Sequence, residues 1–443
     1  MIKMVIENFF RPRNIAIIGA SNEKSKVGYS LIKNLEKFKG KVFPINIKRK
    51  TIQGRKAFKS VLDVKEKIDL AVIAIPAQFV KNSLEECGKK QIKAVIIISA
   101  GYSEIGNIKE EQELLDTAKN YNIRIMGPNC FGNVNPYINL DTSFSLSMPQ
   151  KGEIAFIAQS GALWISLVEY SLKKFGFSGY ASLGNMIDVD FADCIEYFNK
   201  DKNTKVILCY IEALKDGRKF MKIAKKTKKP IILVKVGKSD AGAKAALSHT
   251  GALAGSYEIY KAAFKQSNVI LADTLTEALD KSLLLTQQNT RGNKVVIITN
   301  GGGTGVLTAD LCGIKNLNVI KIQKIIKSLN KFLPDDWSHN NPIDIVGSSS
   351  DKEYKKVFDI LLKNKSIFDF ALIILNQQKM INIEKVAQEI INFRKKSKKG
   401  IVAILIGGKE IKKAEDLLNK CKIPNFFDID RAVNTIKGLN NDH

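Results

Sequence analysis

The sequence reads as an α/β protein of three consecutive domains. Two observations carry that reading. Short β-branched runs alternate with helix-length amphipathic stretches through all 443 residues, the pattern of βαβ units on a mainly parallel sheet. The pattern also restarts twice, and each start runs an apolar strand into a Gly/Ser turn: Ile18-Gly19-Ala20-Ser21, Ala158-Gln159-Ser160-Gly161-Ala162 and Thr299-Asn300-Gly301-Gly302-Gly303-Thr304-Gly305. A turn of this kind, opening a helix, aims free backbone N–H groups and the positive end of the helix dipole at one point and makes an anion site. Glycine suits short βα connections on geometry alone. Three such turns, each at a strand end, point to a protein that handles several phosphates.

In order, the first domain is expected to hold strands at 14–18, 41–47, 70–75, 94–98 and 124–126. The second holds strands at 153–158, 178–181, 205–211 and 230–235, and the third at 294–299, 370–376 and 400–405. Turn-rich stretches at 145–152 and 287–293 fit linkers, which gives domains of 1–148, 149–288 and 289–443.

Composition narrows the class. At 45% hydrophobic and 26% charged residues the chain is an ordinary globular protein. A formal net charge of +26 raises nucleic-acid binding, but the lysines are spread along the chain. The densest runs, Lys225-Lys226-Thr227-Lys228-Lys229 and Lys395-Lys396-Ser397-Lys398-Lys399, end helices just before strands, where cations complement the dipole. No nucleic-acid partner is expected. Six scattered cysteines form no C-x-x-C pair and have no histidine at ligand spacing, so reduced thiols, a cytoplasmic location and no metal site are expected. Apolar runs are too short to span a bilayer, and Glu7 and Arg11-Pro12-Arg13 break up the N-terminal one.

The first turn is not G-x-G-x-x-G: Asn22 to Lys26 separate Gly19-Ala20-Ser21 from Val27-Gly28. The second strand ends in Ile47-Lys48-Arg49-Lys50, where a dinucleotide site would want an acid for the ribose diol. Cations there suit an extra ribose phosphate, as in coenzyme A or NADP, or form a solvated basic turn. Pro76, Ser99-Ala100-Gly101 and Asn129 lie at further strand ends, along the edge where open α/β sheets bind ligands. Gly19, Ala20, Ser21, Lys26, Gly28, Lys48, Pro76, Ser99, Ala100, Gly101 and Asn129 are the candidate contacts to the nucleotide.

One of only three histidines, His249, stands among small residues in Ala246-Leu247-Ser248-His249-Thr250-Gly251-Ala252. Such a ring either starts a helix, with Ser248 or Thr250 as cap, or is open to a ligand as a nucleophile that carries phosphate.

These stretches resemble the NDP-forming acyl-CoA synthetases of the succinyl-CoA synthetase superfamily, in particular the branch of ADP-forming acetyl-CoA synthetase α subunits. The resemblance runs from Asn14–Ser21 through Gly127-Pro128-Asn129-Cys130-Phe131-Gly132, Gln159–Leu163, Ser182-Leu183-Gly184-Asn185 with Asp188-Val189-Asp190, and Tyr210-Ile211-Glu212. It continues through Asp216-Gly217-Arg218, Ser248–Gly251 and Asn300–Gly303 to Asn341–Gly347. It implies a Rossmann-like CoA-binding domain followed by two flavodoxin-like domains. It also implies a reversible reaction in which acyl-CoA, phosphate and ADP become a carboxylic acid, CoA and ATP. The resemblance makes His249 the phosphohistidine and Glu212 its orienting acid. Phosphate falls to Ser160, Gly161 and Ala162 and to Gly301, Gly302 and Gly303. ADP/ATP with Mg2+ falls to an ATP-grasp β subunit, in an α2β2 heterotetramer acting on a small acyl-CoA. No part of this sequence reads as an ATP-grasp domain. Trp164 and Ala213 depart from the pattern, and Trp164 either walls a pocket or packs its helix. Two other readings remain at this stage, a CoA-sensing regulatory module and an NADP-dependent oxidoreductase.

Overall fold

Apolar runs condense into three main sheets, buried on both faces as parallel strands require. The computed structural model describes residues 2–171, 175–242, 256–288, 290–348 and 350–439. The chain divides into two units, Met1–Asp273 and Thr274–His443.

The first sheet takes β1 (Asn14–Ile18), β2 (Lys41–Ile45), β5 (Leu70–Ile73), β6 (Ala94–Ile97) and β7 (Arg124–Met126), with a small hairpin of β3 (Thr51–Ile52) and β4 (Arg55–Lys56) beside it. Its order is β2-β1-β5-β6-β7, all parallel, so the winding reverses between β1 and β5. Two strands stop two residues earlier than the sequence suggests, and β6 stops one residue earlier. β2 ends at Ile45 because the Asn46 side chain takes over the turn, accepting from the N–H groups of Lys48 and Arg49 and donating to the carbonyl of Ala20. β5 ends at Ile73 because the Ser99 hydroxyl engages the N–H and carbonyl of Ile75.

The second sheet, in the same unit, has the order β14-β13-β12-β10-β11-β8-β9. Its parallel strands are β10 (Lys151–Ala158), β11 (Phe177–Ser182), β12 (Val206–Ile211), β13 (Ile231–Lys235) and β14 (Val269–Ala272), with the reversal between β10 and β12. β8 (Asn133–Asn135) and β9 (Leu140–Asp141) add an antiparallel edge, pairing Tyr180 with Val134. These strands precede the linker read from the sequence, yet belong to the second sheet. At three and two residues they are too short to show a period. Arg124 on β7 ties the two layers together, its guanidinium reaching both oxygens of Asp188 at 2.9 Å and Asp193 at 3.0 Å.

The second unit carries the order β16-β15-β18-β19-β20 with β17 beside β15, from β15 (Lys294–Thr299), β16 (Asn318–Val319), β17 (Ile343–Asp344), β18 (Phe370–Asn376), β19 (Gly400–Ile406) and β20 (Asn425–Phe426). The winding reverses between β15 and β18. The helix Leu275–Gln288 belongs to this unit: Gln288 exchanges two hydrogen bonds with the backbone of Ile401, and Asp280 pairs with both forks of Arg431.

Candidate active site

Each Gly/Ser turn follows the first parallel strand of its sheet and so lies at the reversal of the winding, where open α/β sheets leave a crevice for ligands. In the first sheet that crevice is a cavity of about 530 Å³, within the usual range for small-ligand pockets. Gly19 has φ +93°, and a Cβ there would stand 2.3 Å from the carbonyl oxygen of Ala74. A Cβ on Gly28 would stand 1.9 Å from the carbonyl oxygen of Gly19, so the helix Val27–Asn34 abuts the turn directly.

Gly19, Lys26, Gly28, Pro76, Ser99, Ala100 and Asn129 from the sequence reading all line this cavity. Ala20 and Ser21 are buried within the turn, and the Ser21 hydroxyl accepts from the N–H of Glu23. The N–H of Gly101 is spent on Glu104, at 2.5 Å. Lys48 sits on the exposed turn beyond β2 and is not part of the lining. Behind Asn129 lies a group that sequence reasoning did not single out. The Asn129 amide donates to the Asn185 side-chain oxygen at 3.4 Å, and the Asn185 amide donates to Glu104 at 2.6 Å and Glu111 at 2.7 Å. Burial works to raise the pKa of Glu104, but the Asn185 amide and the N–H groups of Gly101 and Tyr102 hold it below the usual carboxylate range. Only the Ser182–Asn185 motif hinted at this; nothing in the spacing of Glu104 and Glu111 did.

The lining continues onto Gly161, in the turn that follows β10. Beside that turn, Gln159 accepts from the N–H groups of Glu212, at 2.8 Å, and Ala213, at 3.0 Å. This fixes the end of β12 against the end of β10. Glu212 is 5% exposed. The ammonium of Lys235 goes to the main-chain oxygens of Glu212 and Val236 and stands 4.7 Å over the ring of Tyr260, and burial pushes its pKa down. The helix that Ala162 opens carries Trp164, fully buried and stacked on Tyr180 with centroids 4.2 Å apart. That decides the question left by the sequence: Trp164 packs its helix onto the sheet and is not part of the cavity lining. His249, with Ser248 and Thr250, lies outside the described residues.

In the second unit the turn after β15 is held by Asn300, which is fully buried. Its side-chain oxygen accepts from the Tyr354 hydroxyl, the Asn376 N–H and the Asn376 amide, and its own amide donates to the Asn376 carbonyl. Gly301 precedes the helix Gly302–Ile314, whose first turn has no side-chain cap. Gly302 and Gly303 are exposed, and a Cβ on Gly303 would meet nothing within 4 Å. Among the described residues no group of three His, Cys, Asp or Glu side chains converges to hold a metal ion, and no helix is long and apolar enough to cross a membrane.

Family models match the chain in three consecutive stretches: a CoA binding domain over 13–136, a succinyl-CoA ligase like flavodoxin domain over 151–285 and a ligase-CoA domain over 295–438. The chain is 42% identical over 432 residues to the acetate–CoA ligase [ADP-forming] II subunit alpha of Pyrococcus furiosus, covering 95% of this chain and 94% of that one. It belongs to the ADP-forming acyl-CoA synthetase family. Within the family it is also 41% identical over 444 residues to the acetate–CoA ligase [ADP-forming] I of Archaeoglobus fulgidus, covering 98% of this chain and 63% of that longer one. The fold matches a Ca. Korarchaeum cryptofilum dinucleotide-forming acetyl-coenzyme A synthetase 1, solved with phosphate and ADP, at a TM-score of 0.92 and 36% identity over 98% of this chain and 96% of that one. The three-part architecture of this synthetase family is therefore the one read from the sequence.

Proposed function

We propose that this chain is the α subunit of an ADP-forming acyl-CoA synthetase acting on a small acyl-CoA, acetyl-CoA foremost. The observation that carries the reading is the continuity of one cavity lining from the Gly19 and Gly28 turn to Gly161, which supports a CoA site adjoining a turn suited to phosphate. The ligase names of the relatives favour this reading over a regulatory module or an NADP-dependent oxidoreductase.

In the proposed chemistry a phosphate oxygen attacks the thioester carbonyl, the C–S bond breaks, and CoA leaves as thiolate and takes up a proton. The acyl phosphate then gives its phosphoryl group to a neutral imidazole nitrogen of His249 and leaves as carboxylate. Glu212 orients the ring from its other nitrogen and offsets the positive charge that phosphorylation creates. Ser160, Gly161 and Ala162, and separately Gly301, Gly302 and Gly303, offer helix N-termini to the phosphoryl oxygens, dipoles that need no reorganisation. Lys26 and Lys48 are the cations proposed for the phosphates of CoA.

The ATP-grasp β subunit would hold ADP with Mg2+ and receive the phosphoryl group, in an α2β2 assembly placed in the cytoplasm. All six cysteines are free thiols, five of them buried, which suits a reducing compartment. Mixing the chain with that subunit, acetyl-CoA, phosphate and ADP should yield ATP, and neither subunit should do so alone. ATP made by the solitary chain would overturn the division of labour.

Gly303 separates function from stability. Alanine there should raise the stability of the second unit by about 0.5–1 kcal/mol, since the residue is helical and its Cβ meets open space. The same methyl would stand where the phosphoryl group must come, so turnover should fall at least about tenfold. Thermal melts and steady-state rates on Gly303→Ala check both halves.

A further inference from the structure

Where the cavity reaches the proposed phosphate turn, its wall is aromatic. Phe131 and Phe144 line it beside Gly161, with ring centroids 4.0 Å apart and planes tilted by 47°. A Cβ on Gly161 would stand 2.5 Å from Cβ of Phe131, so this phenylalanine is pressed onto the turn. Accepting phosphate at that turn as the reading above has it, the thioester carbon must come there for attack, and whatever is attached to that carbon must meet these two rings.

The backbone that carries each ring is pinned by hydrogen bonds. The N–H of Phe131 donates to the Ser182 hydroxyl at 2.8 Å. Phe144 is clamped from both sides, because the Asn34 amide donates to the carbonyls of Ser143, at 2.9 Å, and Ser145, at 3.1 Å. Beneath it, buried Asp141 accepts from the N–H and the hydroxyl of Ser143 and from the hydroxyl of Ser145. Backbone pinned on each side resists the shift that a larger group would need, and an apolar wall of set position discriminates acyl chains by size.

We propose that Phe131 and Phe144 form the acyl pocket and set the largest acyl group the site admits, with the Asn34–Ser143–Ser145–Asp141 clamp as its positioning device. This rests on the synthetase reading, and the test separates the two. Titration calorimetry on the full chain would compare free CoA, acetyl-CoA and phenylacetyl-CoA. The wild-type chain should bind phenylacetyl-CoA at least about tenfold more weakly than acetyl-CoA, and Phe144→Ala or the milder Phe144→Leu and Phe131→Leu should narrow that ratio at least about threefold. A wild-type chain that binds both acyl-CoAs equally, or a ratio unmoved in all the folded variants, overturns the acyl pocket while the synthetase reading stands. A wild-type chain that binds no free CoA overturns the reading on which the proposal rests, and the proposal with it.

Discussion

Glu212→Gln should lower the rate of acyl-CoA-dependent phosphorylation by about 10²–10⁴-fold, with CoA affinity kept within about twofold. The glutamine keeps the shape and removes only the charge. Two backbone N–H groups, of Glu212 and Ala213, hold this strand end on Gln159, and they do not depend on the carboxylate. The loss should therefore fall on the chemical step rather than on the fold. The pH–rate profile gives a second readout with a definite sign. A carboxylate beside an imidazole favours the charged ring and raises its pKa, so its removal lowers that pKa. Because His249 must be neutral to accept the phosphoryl group, the acid limb of the profile should move to lower pH in the variant. A rate within twofold of wild type, with an unmoved acid limb, would make Glu212 a structural residue only.

Gly28→Ala should reduce CoA affinity by at least about 100-fold, about 2.7 kcal/mol of binding free energy. The argument is steric. The new methyl would stand 1.9 Å from the Gly19 carbonyl oxygen and 3.2 Å from the Ala20 Cα. Both are backbone atoms of a turn fixed to β1, and neither can step aside as the end of a flexible side chain would. The helix Val27–Asn34 must move off the turn, and Lys26, Val27 and Gly28 leave the cavity wall with it. Overpacking of this kind destabilises a domain by about 1–3 kcal/mol, so the first unit should still fold. Calorimetry with CoA checks the prediction, and an affinity within threefold of wild type would contradict the placement of the ligand.

The fold was legible wherever burial on both faces left an unbroken apolar run. β1, β7, β15 and β18 have the very bounds that the residues suggest. Legibility failed where side chains cut the strand short or the strand carried no period. Asn46 ends β2 through hydrogen bonds that its sequence position does not announce. β8 and β9 are too short for alternation to register, which hid their place in the second sheet. The glycines of the turns were visible because geometry restricts the residue type. The groups that hold those turns, Gln159 under Glu212 and Asn300 under Gly301, were not, because amides are common and their partners lie 53 and 76 residues away along the chain. The pairing of Phe131 with Phe144 was hidden as well, because only the folded chain puts them side by side against Gly161.

The most direct test of the central claim, that His249 carries the phosphoryl group from acyl phosphate, needs this chain alone. Incubation with acetyl-CoA and radiolabelled phosphate should leave on the wild-type protein a label that acid removes and alkali does not, and His249→Asn should take up none. A label that persists unchanged in His249→Asn, or a wild-type chain that binds CoA and takes up no label, would contradict the account.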